Sequence, residues 1–107
     1  MSNNELIRAR TYITAKLSQG DLLAQLAEEA TELAHAALKL RRAVEATNYT
    51  PVNVPTALEA VREEVADVGL LVQVLKLDYD PDELENIMRQ KLLRWESRLM
   101  ERGTAEQ

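Results

Sequence analysis

Apolar residues recur at helical spacing along most of the chain. From about Asp21 to Ala46, Leu22, Leu23, Leu26, Ala30, Leu33, Ala37, Leu40 and Val44 follow the i, i+3, i+4 rhythm of one helix face. From about Thr56 to Leu77 the rhythm returns with Ala57, Val61, Val65, Val68, Val72 and Leu75. The valines favour a strand locally, but the period is helical and the segment is too long for an ordinary strand. A further stripe, Leu84, Met88, Leu92, Trp95 and Leu99, runs from about Pro81 to Glu101, and a weaker one, Leu6, Ile7, Ile13 and Leu17, from about Asn4 to Leu17. Three breaks separate these segments. In Ser18-Gln19-Gly20-Asp21 the glycine is expected to stop one helix and the aspartate to cap the next. Thr47 to Pro55 is the longest expected loop. At Asp78-Tyr79-Asp80-Pro81, Asp80 is the expected N-cap, Pro81 the first helical residue and Glu83 the closing member of a capping box. The pattern predicts an all-α, four-helix bundle in a single domain over residues 1–107, with a tail fraying from about Arg102.

Composition narrows what such a bundle can do. The 107 residues suit one domain, and 46% hydrophobic content is enough for a core. Eighteen acids against 13 Lys plus Arg give a net charge of −5, which argues against a nucleic-acid polymer as partner, since that affinity comes from cations on phosphates. With no cysteine, disulfides, thiolate metal sites and cysteine nucleophiles are excluded. Met1 to Glu5 lacks the basic and apolar regions of a secretory signal, and every apolar run is interrupted by charge well short of the roughly 20 residues that span a bilayer. A cytoplasmic protein without a membrane partner is expected.

The placement of the acids matters more than their number. Glu28-Glu29-Ala30-Thr31-Glu32 lies in the second segment and Glu63-Glu64-Val65-Ala66-Asp67 in the third. At about 100° per residue, Glu29 falls roughly 60° from the centre of the apolar stripe and Glu32 about 60° beyond, and Glu64 and Asp67 repeat these offsets. If the two helices pack through their stripes, four carboxylates converge at the margin of the interface. They would repel one another and resist desolvation unless a divalent cation neutralised them. Oxygen ligands without cysteine favour Mg2+ or Mn2+ over Ca2+ in a helical site without a flexible loop. Lys91 and Arg98 flank the stripe of the fourth segment, with Arg94 further round, where they suit an anion held by the metal. Each feature also has a plainer reading, the acids as a solvated face and the cations as partners of a helix C-terminus. Glu32-x-x-His35 is half of a di-iron carboxylate signature, but the third segment places Leu70 where the second histidine would stand. Glycine-rich phosphate loops and Ser-His-Asp triads are missing.

Leu26 to Ala34 (LAEEATELA) followed by Glu63 to Val68 (EEVADV) resembles the EExxE and ExxD motifs of the MazG-like nucleotide pyrophosphohydrolases, an all-α superfamily. The resemblance covers about Asp21 to Arg98, and the interval between the motifs is somewhat longer than usual. It implies Mg2+-dependent hydrolysis of a nucleoside triphosphate to the monophosphate and pyrophosphate. By the same resemblance Glu29, Glu32, Glu64 and Asp67 would be metal ligands, Glu28 and Glu29 candidates for orienting or deprotonating water, and Lys91 and Arg94 family basic positions. It further implies a homo-oligomer, dimer or tetramer, in which subunits complete one another's sites; a tetramer is expected here. Leu70, Leu71 and Val74, lying outside the main stripe of the third segment, agree with that expectation. The rivals are a non-catalytic helical interaction module and a di-iron carboxylate protein using His35.

Overall fold

A computed structural model describes residues 2–45 and 53–106, with side chains to residue 103. All the regular structure in these residues is helical: α1 spans Asn3–Lys16, α2 Gln19–Glu45, α3 Val54–Val74 and α4 Pro81–Glu106. Most of the expected loop from Thr47 onward lies outside the described residues. No described helix is long and apolar enough to cross a membrane. The chain divides into two compact units, Met1–Leu77 and Asp78–Gln107.

Side chains at the breaks set the helix ends. Ser2 opens α1 with a reciprocal capping box to Glu5. The next break works differently from the expectation. Ser18, not Asp21, starts α2: its Oγ accepts from the Asp21 N–H at 3.0 Å, and the Asp21 carboxylate accepts from the Ser18 N–H at 3.3 Å. Gly20 therefore lies inside the first turn of α2, and α1 ends at Leu17 in extended conformation. Asn53 caps α3 by accepting from Thr56 N–H at 2.8 Å, and Asp80 caps α4 by accepting from Glu83 N–H at 3.1 Å. The C-terminus of α3 closes with Lys76 in the left-handed region, φ 57°. Lys76 N–H donates to the Gln73 carbonyl at 3.0 Å and Leu77 N–H to the Val72 carbonyl at 2.9 Å, the paired bonds of a Schellman motif with lysine in the usual glycine position.

In the first unit α2 and α3 pack as an antiparallel hairpin. Leu22 meets Leu71 and Val74 at one end, Glu29 meets Glu64 and Asp67 midway, and Ala36 and Ala60 share a groove toward the other end. Ile13 of α1, Leu26 and Leu75 pack against the Leu22, Leu71 and Val74 cluster. Along α2 the residues withdrawn from solvent are Leu22, Leu26, Glu29, Leu33, Ala36, Leu40 and Ala43, alternating four and three apart. Along α3 the matching line is Ala57, Val61, Glu64, Val68 and Leu71, continued by Leu75. This is a heptad seam, with Leu26, Leu33, Leu40, Val61, Val68 and Leu75 at a and Leu22, Glu29, Ala36, Ala43, Ala57, Glu64 and Leu71 at d.

The seam corrects the stripes read from the sequence. Ala30, Ala37, Val44 and Val65 are exposed, the last two at 63% and 54%. Each helix offers two lines that share its a positions. The more apolar ones, Leu23, Ala30, Ala37 and Val44 on α2 and Leu58, Val65 and Val72 on α3, occupy e, and the hairpin closes on the acid-bearing d lines instead. Leu71 and Val74, expected outside the main stripe, are among the most buried residues of α3, because they meet Leu22; Leu70 alone of that trio is exposed.

In the second unit α4 continues past Glu101 to Glu106. None of its side chains through residue 103 is buried, and Leu84, Met88, Leu92, Trp95 and Leu99 all stand exposed.

Candidate metal centre

The d positions decide the site. Glu29 sits seven residues from Leu22 and from Ala36, so the repeat that buries those apolar neighbours draws its carboxylate into the seam. Glu64 sits likewise between Ala57 and Leu71. Asp67, one turn on from Glu64, reaches the same point from the solvent side. Carboxylate oxygens of Glu29, Glu64 and Asp67 all lie within 4.8 Å of one another, with Glu29 and Glu64 half-buried and Asp67 exposed. Glu29 is steadied by Gln25 one turn earlier, whose Nε2 donates to Glu29 Oε1 at 3.0 Å.

Glu64 bears the electrostatic load. Its Oε2 is shielded from solvent and has no hydrogen-bond partner. Desolvation pushes its carboxyl above the ordinary carboxylate range, and the adjoining Glu29 carboxyl and the charges of Asp67 and Glu32 push it the same way. A shielded acceptor facing other acceptors lacks a positive partner. A hard divalent cation would supply one, since the donors are all oxygens and come from facing helices. The residues present therefore fit Mg2+ or Mn2+.

Of the acids marked in the sequence, Glu29, Glu64 and Asp67 converge. Glu32 is exposed beside them and lines a groove of about 240 Å3 with His35, Ala36, Lys39, Ala60, Glu63 and Glu64. Glu28 is exposed and outside the triad. Lys91, Arg94 and Arg98 are exposed on α4, in the second unit. The phase expected for Glu29 is corrected: it lies in the seam rather than at its margin, because the interface follows a repeat of seven and not the most apolar face. Sequence reasoning missed Gln25 and Lys39, and gave Glu63 no role beyond its place in the motif. Gln25 was detectable as the i−4 neighbour of Glu29, and Lys39 as the i+7 neighbour of Glu32.

Compared with protein-family models, with curated protein sequences and with solved structures, the chain matches none.

Proposed function

We propose that the chain is a Mg2+-dependent nucleoside triphosphate pyrophosphohydrolase, converting a (d)NTP to the (d)NMP and pyrophosphate, and that it works as a homo-oligomer, a tetramer rather than a dimer. One observation carries the reading: in both hairpin helices an acid occupies the seam while most of a more apolar line, Leu23, Ala30, Ala37 and Val44 on α2 and Leu58 and Val65 on α3, stays outside. A layer of carboxylates at packed positions opposes folding on its own, and such local conflicts with packing rules concentrate at functional sites. The motif resemblance at Glu28 to Glu32 and Glu63 to Asp67 specifies the chemistry.

Glu29, Glu64 and Asp67, joined by Glu32, would hold the metal. When bound, the ion neutralises the carboxylates and the phosphate oxygens and acidifies water. In the reaction the water oxygen bonds to the α-phosphorus, the bond from that phosphorus to the bridging oxygen breaks, and pyrophosphate leaves. The proton lost by water passes to a carboxylate of this chain, for which Glu28 and Glu29 are the candidates. Gln25 keeps Glu29 pointed into the cluster. By the motif resemblance and the sequence pattern alone, Lys91, Arg94 and Arg98 would be the candidates to offset charge on a leaving pyrophosphate.

Pyrophosphate release from a panel of ordinary and modified nucleotides with Mg2+ tests the reading. The wild type turns over at least one of them, and Asp67→Asn abolishes turnover with an unchanged helical CD spectrum. No pyrophosphate from any nucleotide, or full activity in Asp67→Asn, removes the proposal. A second reading, a non-catalytic interaction module, draws on the exposed apolar stripe of α4 and predicts neither turnover nor a Mg2+-dependent thermal shift. A di-iron site draws no such support, since the carboxylate triad contains no histidine.

A further inference from the structure

We infer that the groove beside the carboxylate cluster takes the leaving-group end of the substrate, a pyrophosphate unit that runs from the cluster along α2 to the Lys39 ammonium. This deepens the proposed hydrolase reading and rests on it. The groove lies one layer from the acids in the seam. After Glu29 the next d residue of α2 is Ala36, and its short side chain shares with Ala60 the lining of an opening of about 240 Å3. Glu32, His35 and Lys39 from α2 and Glu63 and Glu64 from α3 form the rest. Glu64 belongs to both the groove and the triad, so the two are continuous.

Size and lining select the ligand. The opening falls below the roughly 300–1,000 Å3 of a site that encloses a whole ligand, so it takes one moiety. Its polar walls are carboxylate, imidazole and ammonium, with only alanine methyls between them, and they offer no broad apolar surface for a nucleobase. A compact charged group suits such walls. The sign of its charge follows from Lys39 and from the cluster. Three carboxylates already exceed the charge of one divalent ion, and a phosphate chain held by that ion adds more. A cation of the protein is needed where the chain leaves the metal.

Lys39 is placed to be that cation. Gln25, Glu32 and Lys39 follow one another at intervals of seven along one line of α2. Lys39 thus stands about 10 Å along the helix from Glu32, and a long side chain on a helix leans toward the N-terminal end, here back toward Glu32. Among the described residues it forms no ion pair, whereas Arg41 on the same helix is held by Glu45 at 3.3 Å. Three and four residues to either side of Lys39, α2 places Ala36, His35, Arg42 and Ala43, none of them an acid. A lysine left free beside an excess of carboxylates is available to an incoming phosphate. The basic residues marked by the motif resemblance belong to the second unit, while Lys39 shares its groove with the acids.

Calorimetric titration of the purified chain with inorganic pyrophosphate in the presence of Mg2+ tests the assignment. The wild type binds pyrophosphate, and EDTA abolishes the binding. Lys39→Ala weakens it about ten-fold or more with an unchanged CD spectrum, Lys39→Arg restores most of it, and Arg41→Ala has no effect. A nucleoside monophosphate, which carries the α-phosphate but not the leaving group, binds Lys39→Ala as it binds the wild type. Lys39-dependent pyrophosphate binding without hydrolysis of any nucleotide sinks the hydrolase and keeps Lys39 as a pyrophosphate-binding residue. Hydrolysis with pyrophosphate affinity unchanged in Lys39→Ala sinks the assignment of Lys39 alone. A wild type that binds no pyrophosphate, binding that survives EDTA, or equal weakening of the monophosphate also overturns it.

Discussion

The acidic and apolar sides of the α2–α3 hairpin are built from neighbouring positions of the same heptads, and they solve opposite problems. On one side Glu29, Glu64 and Asp67 crowd three carboxylates within 4.8 Å and leave the Glu64 Oε2 without a partner. On the other, Leu23, Leu58 and Val65 stand in solvent. A rotation of each helix by one residue would bury the apolar line and release the acids to water. The hairpin does not make that rotation. Its Leu22, Leu71 and Val74 cluster anchors one end with the d positions inward, and the acids follow by periodicity. Each side is left in deficit, the first of positive charge and the second of apolar cover.

The largest expected effect separates the sides by activity. Glu64→Gln lowers pyrophosphate release by a factor of 100 or more, in line with loss of a group that holds a reaction's charge, and leaves the solution mass as it was. A variant that loses both activity and the helical CD signal would assign the effect to folding instead. Next comes the anchor common to both. Leu22→Ala removes a side chain only 6% exposed, and costs about 2–5 kcal/mol in chemical denaturation whether or not metal is added.

Acidity provides a smaller test, specific to the acidic side. The raised Glu64 pKa means that the folded chain binds this proton more tightly than the unfolded chain does. The contribution to stability is therefore complete below the ordinary carboxylate value and is lost as pH rises through the raised one. The Tm of metal-free protein should fall across that interval, the slope should vanish in Glu64→Gln, and Val65→Glu should keep it. Unchanged slopes in Glu64→Gln would place the titration elsewhere. The smallest effect lies on neither side. Lys76→Gly relieves a left-handed non-glycine residue, φ 57°, and should raise stability by about 1 kcal/mol in a denaturant titration, with activity and mass unaltered.

The sequence made the helices legible because their ends are written in local chemistry. Asp80 and Pro81 act where cap preferences place them, whereas Asn53 and the start of α3 at Val54 fall inside the expected loop. Ser18 was overlooked because Gly20 is the louder signal, although Ser18 and Asp21 form the reciprocal pair that starts α2. The carboxylate pairing was legible from spacing, since Glu64 and Asp67 lie one turn apart and face Glu29. The depth of the site was not. Judged by apolar content, Ala30 and Val65 belong inside more than Glu29 and Glu64 do, and only the partner helix decides between lines sharing the same a residues. The exposure of α4 was likewise hidden, since Leu84, Met88, Leu92, Trp95 and Leu99 have the spacing of a buried face whether or not anything covers them.

With the proposed cation shared between them, the acids at d would also fix the register of the two helices. Apart from them, the layers of the seam are leucine, valine and alanine, and a slip of seven residues would set one apolar layer on another with little penalty. It would also lodge Glu29 against Ala57 or Leu71, a charge against hydrocarbon with no other carboxylate to share a cation. A polar layer of this kind specifies alignment in helical coils even as it lowers their stability. Replacing both Glu29 and Glu64 by leucine would then give a hairpin of higher Tm and less certain alignment, visible as doubled amide resonances. The residues proposed to hold the metal would thus, once it is bound, also tell the chain which of several similar hairpins to be.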